Sequence, residues 1–313
     1  KPAARASPDD SPQRAASFVW MRNRVIIAVL AAALGWGLAG VGTRAAYELG
    51  ANTVTVLAIR TAVATVALLV WAGITRVKPT SRAWRDGAIV GTLRIGLAPL
   101  LFMASLNYIS AGVEGLIITL VPATTTVMAA ALIHETVTRR QVLGLIIGLI
   151  GTMVIAGAGD SGLGSDGNVT YGFALAGLGV LVGSWSGVLQ RKYAPRHDTT
   201  ELAAPMFISG LAVSLVAGVV IGFDAVIEYE TNLWVLLIVL GIGSTLVPFG
   251  ATLYASKHAS ATVVSITGYL APLVGVIGGA MILDEELTPV IVTGAVLAMV
   301  GVGLVGGPRR TPT

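Results

Sequence analysis

The chain has 313 residues, 55% of them hydrophobic and only 12% charged, with a mean hydropathy of +0.83. A soluble domain carries about 25% charged residues, so this composition excludes a water-soluble enzyme and points to a polytopic membrane protein. The net charge of +4 lies in segments between apolar runs, not in a patch for nucleic acid, and a cysteine count of 0 excludes disulfides, thiolate catalysis and Cys-ligated metal.

Residues 1–20 are polar and rich in Pro, Ala and Arg, and read as a disordered tail. Arg22 and Arg24 then precede a long apolar run with no small-residue cleavage pattern, which reads as a retained first span. Ten apolar runs follow: Val25–Tyr47, Thr53–Thr75, Gly87–Leu106, Gly112–Ile133, Val142–Ala158, Tyr171–Leu189, Ala203–Phe223, Leu233–Tyr254, Ala261–Leu283 and Val290–Val305. A spanning helix takes roughly 20 apolar residues, and the runs are too long and too uniform for β-spans. The 39 glycines suit close helix packing in lipid.

Lys and Arg in short loops set orientation. With ten spans, Arg76, Lys78, Arg82, Arg85, Arg139, Arg140, Arg191, Lys192, Arg196, Lys257, Arg309 and Arg310 share one face with the basic tail. The opposite loops carry Glu48, Asp160, Asp166, Asp224, Glu228, Glu230, Asp284, Glu285 and Glu286 and no Lys or Arg. The expectation is a multi-pass protein of the cell membrane with both termini cytoplasmic.

A shift of 150 residues superposes the two halves. Trp84 meets Trp234, Gly91 meets Gly241, Leu120-Val121-Pro122 meets Leu270-Ala271-Pro272, and Glu135 meets Glu285. Gly144, Gly151 and Gly157 meet Gly294, Gly301 and Gly307, and Trp36 meets Trp185 at a shift one residue shorter. Each half holds five spans, an odd number, so the second enters the bilayer upside down. The fold class expected is all-α and polytopic, ten transmembrane helices as two inverted five-helix repeats. The first repeat covers residues 21–158, an extracytoplasmic loop 159–170, and the second repeat 171–307. Inverted repeats mark secondary transporters, which alternate access around a central site; the competing reading is a duplication in a protein that moves nothing.

On these residues the chain resembles the EamA-like transporters of the drug/metabolite transporter superfamily. The pieces are Gly35-Trp36-Gly37 with Arg44, then Arg60, then Ser110-Ala111, Leu120-Val121-Pro122, Glu135-Thr136-Val137-Thr138 and Gly144, the last group repeated as Ser260-Ala261, Leu270-Ala271-Pro272, Glu285-Glu286-Leu287-Thr288 and Gly294. The resemblance implies a ten-helix carrier of amino acids, other small metabolites or amphipathic drugs, with no cofactor. Arg94 departs from the family's pattern, which has a small or apolar residue there.

Candidate site residues follow from two rules. Proline inside a helix frees the carbonyl four residues earlier, and in lipid that carbonyl must face protein or a wet cavity. Pro99, Pro122, Pro248 and Pro272 sit inside spans three, four, eight and nine, freeing Ile95, Ile118, Ser244 and Gly268. A cavity is expected between these spans and spans one and six, with Trp36, Thr119, Trp185, Tyr254, Thr267 and Tyr269 as candidate contacts; simple helix bending is the alternative. Ionisable residues within spans are costly and usually functional. Arg94 is read as an anchor for a substrate carboxylate. Arg44, Arg60 and Glu114 are read as a structural ion pair or as coupling groups, with Glu114 a candidate proton carrier. Glu135 and Glu285 are read as ligands of turn amides, and Thr138 with Gln141 and Thr288 with Pro289 as helix entries.

The partners implied are a small-molecule substrate, the bilayer and a coupling proton. The function expected is export of small metabolites, amino acids or related amphipathic compounds. An importer or multidrug carrier of the same fold is the alternative. An integral-membrane enzyme acting on lipid-borne substrates is a second class, but His134, His197 and His258 are scattered over three loops and form no catalytic or metal-binding motif.

Overall fold

Lipid offers the backbone no hydrogen bonds, so apolar runs of this length close their bonds internally as helices. The computed structural model describes residues 12–133, 138–156, 168–193, 196–197, 199–258 and 267–306, and among them there is no strand. The elements are α1 (Pro12–Glu48), α2 (Thr53–Thr75), α3 (Ser81–Gly91, a π turn Thr92–Leu97, then Ala98–Ser105) and α4 (Ala111–Ile118 and Leu120–Ile133, parted by a turn at Thr119). They continue as α5 (Arg139–Ala156), α6 (Val169–Tyr193), α7 (Thr199–Ile221), α8 (Thr231–Gly241, a π turn Ile242–Leu246, then Val247–His258), α9 (Thr267–Ile282) and α10 (Pro289–Gly306). Among the described residues, seven helices are long and apolar enough to cross a membrane, in α1 to α4 and α6 to α8; α9 and α10 carry shorter apolar stretches, Leu270–Ile282 and Pro289–Gly301.

Local chemistry fixes the helix ends. Asn52, Thr80 and Ser110 sit in extended conformation and accept from the amides of Thr55, Ala83 and Val113, which satisfies donors that a helix start leaves unpaired. Thr138 and Gln141 form the expected reciprocal cap, the Thr138 amide donating to Gln141 Oε1 at 2.9 Å and the Gln141 amide to Thr138 Oγ1 at 3.3 Å. Thr288 accepts from Ile291, and Pro289 opens α10. Glu135 lies outside the described residues.

The two π turns share a cause. Pro99 and Pro248 supply no amide hydrogen, and the residue before each bonds five residues back, Ala98 to Leu93 and Val247 to Ile242. The turns lie 150 residues apart, in matching helices of the two halves. Such bulges concentrate at functional sites.

Packing is mostly between halves. Helix α1 lies against α8 and α9, while α6 lies against α3 and α4; α2 packs on α7 and α8, while α7 packs on α2 and α3. Exchanging α1–α5 for α6–α10 turns each of these pairs into another. Helices α4 and α9 also pair, as do α5 and α10. Small residues permit the α5–α10 approach: a Cβ at Gly151 would lie 2.8 Å from the Gly294 carbonyl oxygen and 2.9 Å from the Ala298 nitrogen. Backbone cannot yield there as a flexible side chain can.

Gly151→Leu is therefore expected to overpack the seam, at a cost of about 1–3 kcal/mol, and to lower the unfolding temperature of the purified protein. Gly177→Leu is the control, because a Cβ at Gly177 meets nothing within 4 Å and its unfolding temperature should stay at the wild-type value.

Candidate functional site

A hollow of about 370 Å³ lies between the halves. The prolines shape it. Ile95, Ile118, Ser244 and Gly268, whose carbonyls a following proline leaves without a helical amide, all line it, as do Pro99, Pro122 and Pro272. Helices α1, α3, α4, α6, α8 and α9 contribute walls, and so do α2, through Leu57, Arg60 and Thr61, and α7, through Phe207. Apolar surface comes from Trp36, Phe102 and Phe249.

Three ionisable side chains reach this hollow from the first half: Arg60 on α2, Arg94 in the α3 π turn and Glu114 on α4. Arg60 is partly engaged, its Nε donating to Thr245 Oγ1 at 3.2 Å and its Nη1 lying 3.7 Å from Met103 Sδ. Among the described residues, Arg94 and Glu114 have no hydrogen-bond or ion-pair partner, although Glu114 is only 5% exposed. Their polar atoms are absent from the buried orphans, of which Thr252 Oγ1 is the one found among the described residues, so they open onto the hollow. A charge held this way is costly in lipid unless water or a ligand completes it.

Other sequence candidates fall elsewhere. Arg44 does not pair with Glu114: its Nη1 donates to the carbonyls of Leu106 and Ile109 at 2.8 and 2.9 Å and ties α1 to the end of α3. Among the described residues no salt bridge joins Arg60 to Glu114 either; those present are Arg85 and His197 to Asp86. Thr119 and Thr267 line the hollow, but the Thr119 hydroxyl donates to Leu116 at 2.6 Å. Trp185 is 42% exposed and, unlike Trp36, is not part of the wall. Pro248 is buried against Gly35 beside the hollow. Tyr254 stacks on His258 with ring centroids 4.2 Å apart and packs on Val25 and Val29, away from the hollow. The Tyr269 side chain lies outside the described residues.

Sequence reasoning passed over Thr61, Phe207, Thr245 and Phe249. Thr245 had a signal, being next to the freed Ser244. The phenylalanines had none, because one apolar residue in an apolar helix looks like another. Among the described residues no three acidic or histidine side chains converge as a metal site.

The acidic loops act on helix ends across the halves. Glu285, after α9, accepts from the amides of Ala111 at 2.7 Å and Gly112 at 3.0 Å, the first turn of α4. Asp224, after α7, accepts from the Asn52 amide at 2.6 Å and from the Tyr229 hydroxyl, just ahead of α2. Burial and the neighbouring Asp224 carboxylate push the Tyr229 phenol above its ordinary range. Carboxylates are favoured at helix N-termini by the backbone dipole and the free amides.

Comparison with known proteins agrees with this architecture. The EamA-like transporter family matches residues 23–157 and again residues 170–307. The chain is 24% identical over 198 residues to an uncharacterised transporter of Archaeoglobus fulgidus, covering 63% of this chain and 68% of that one. It is 28% identical over 233 residues to the uncharacterised transporter YvbV of Bacillus subtilis, covering 71% and 72%. A WAT1-related chloroplastic protein of Arabidopsis thaliana is 27% identical over 213 residues, where the match spans 49% of the plant protein. A crystal structure with 20% identity superposes with a TM-score of 0.62 over 90% of this chain and 95% of its own, a likeness of fold.

Glu285→Gln keeps the shape of the side chain but replaces a charge-assisted acceptor. Hydrogen bonds to charged groups are worth about 1.5–3 kcal/mol, so the variant should unfold several degrees below wild type, and Glu285→Ala lower still. Thermal unfolding in detergent checks both; a midpoint unchanged in Glu285→Ala contradicts the cap.

Proposed function

The chain belongs to the EamA-like transporter family, and from that premise we propose that it is a secondary transporter exporting small metabolites, amino acids or related amphipathic compounds, by alternating access around the central hollow. One observation carries this reading: half-buried Arg94 and buried Glu114, on helices long and apolar enough to span a membrane and without a hydrogen-bond or ion-pair partner among the described residues, line a hollow of about 370 Å³ walled by both halves. That volume suits a small molecule.

In this reading ten spans form two inverted repeats, residues 21–158 and 171–307. The exchange of packing pairs between halves and the π turns 150 residues apart support it. Rocking one set of cross-half contacts against its counterpart exposes the hollow to alternate faces. Both termini lie on the cytoplasmic side of the cell membrane, supported by the confinement of Lys and Arg to one set of loops.

Arg94 anchors a substrate carboxylate, since a guanidinium pairs with it in a fork. The apolar part of the substrate lies against Trp36, Phe102 and Phe249, and Thr119, Thr267, Pro99, Pro122 and Pro272 shape the remaining wall. Glu114 carries a coupling proton, and Arg60 stays with Thr245 as a structural cation. Pro248, packed on Gly35 beside the hollow, shapes α8 there. Among the described residues the charged groups lining the hollow are Arg60, Arg94 and Glu114.

Reconstituted vesicles loaded with labelled amino acids test the reading. Flux above that of empty vesicles is expected, and flux equal to theirs across a broad panel overturns the substrate class. Loss of a charged bond worth about 1.5–3 kcal/mol should make Arg94→Ala weaken carboxylate substrates roughly tenfold or more, sparing uncharged analogues. Glu114→Gln should remove the dependence of flux on a pH gradient while leaving exchange of substrate for substrate; an unaltered dependence rules out its coupling role.

A further inference from the structure

The basic end of the bundle holds a second hollow, of about 420 Å³, bordered by Arg82, Arg85 and Asp86 on α3 and by Arg196 and His197 beyond α6. Its floor is built. The Asp86 side chain is 2% exposed; its Oδ1 accepts from Nε and Nη2 of Arg85, both at 3.0 Å, and its Oδ2 lies 2.9 Å from Nε2 of His197, itself 5% exposed. One carboxylate thus fixes an arginine from one half and a histidine from the other. Both of its oxygens are occupied, so it offers little to the remaining cations.

Those are Arg82 and Arg196. Among the described residues neither makes a hydrogen bond or ion pair, and the Arg196 guanidinium sits 5.8 Å from the centre of the Tyr193 ring. Among the described lining residues, three guanidiniums stand against one carboxylate and none is apolar, a lining that favours an anion over a greasy ligand. Loop-charge bias alone accounts for arginines on this face. It does not call for a buried carboxylate that holds Arg85 and His197 beside a cavity.

We propose that this basin is a binding site for a phosphate group. Guanidiniums grip phosphate oxygens in a planar fork. The basin lies in the first turns of α3, where Trp84 is 42% exposed, and exposed tryptophans of this kind are enriched where a spanning helix meets lipid headgroups. Basic pockets between helices on the cytoplasmic side hold anionic headgroups. The phosphate comes from such a headgroup or from a soluble phosphate ester, and the site is independent of the central hollow and of what it carries.

The full chain, purified and placed in nanodiscs, tests this by thermal unfolding. Nanodiscs containing phosphatidylglycerol should raise the midpoint by several degrees over phosphatidylcholine alone, saturating with lipid content. The Arg82→Gln, Arg196→Gln double variant should lose most of the shift, while the charge-matched Arg76→Gln, Lys78→Gln variant keeps it. Millimolar inorganic phosphate in phosphatidylcholine nanodiscs is the second arm: a shift there identifies a soluble source, and a shift with phosphatidylglycerol alone identifies the lipid. Should the double variant fail to fold, Arg196→Lys, which keeps the charge but loses the fork, should show a weakened shift. Absence of any shift with both probes, or equal shifts in wild type and the Arg82, Arg196 variants, overturns the site.

Discussion

A carbonyl that has lost its helical amide inside a bilayer has two places to turn, another protein group or water, and the fold is arranged around that restriction. Four prolines each remove an amide, and the carbonyls they release belong to four residues that border one hollow. The backbone adapts in two ways. In α3 and α8 it rewinds into a π turn ahead of the proline. In α4 it breaks at Thr119, whose hydroxyl donates to Leu116 at 2.6 Å and closes part of the gap. The hollow is thus the consequence of several local faults placed face to face, and not a void left by poor packing.

The same placement ties stability to motion. Because α1 and α6 each pack on helices of the opposite half, neither half is buried without the other. The acidic loops strengthen this dependence, as Glu285 and Asp224 satisfy amides at the starts of first-half helices. In the proposed rocking, some of these cross-half contacts change while others are kept. The α5–α10 seam is the natural fixed part, since its glycines bring backbone to backbone and closely packed backbone is the least able to slide.

Much of this was legible in the sequence, for physical reasons particular to each residue. Proline announces a backbone event, so the hollow could be read from Pro99, Pro122 and Pro272, whereas Gly151 and Gly301 stood out only as matching positions of the repeat and their seam was not read. Helix caps are local, so Thr138 with Gln141 and Thr288 with Pro289 could be read as well. What was illegible depended on distant partners. Arg44 looked like a member of an ion pair, but Leu106 and Ile109 present carbonyls closer by. Glu285 was read as a ligand of turn amides, and the amides it binds are those of the first turn of α4, which the sequence did not indicate. The π turns escaped because a proline states only that an amide is missing, not how the preceding turn rewinds. Tyr254, a candidate contact that by its place near the membrane surface suited an aromatic belt equally well, stacks on His258 near the end of α8.

The scaffold repeats, and the charge inside it does not. Arg60, Arg94 and Glu114 all come from the first half, and the residues 150 positions on are Gly210, Ser244 and Val264. The second half instead brings hydroxyls to the hollow, from Ser244, Thr245 and Thr267. In the proposed alternating access, two inverted copies need matching backbones if opening to one face is to mirror opening to the other, and the paired π turns and packing partners are in keeping with such a match. A bound molecule is itself asymmetric and gains nothing from a second guanidinium at the mirrored position, where desolvating it would carry a further cost. Divergence of the charges on a repeated pair of backbone faults is therefore what the proposed carriage of an asymmetric substrate requires, and Arg94, seated within the π turn of α3, is where the two demands meet.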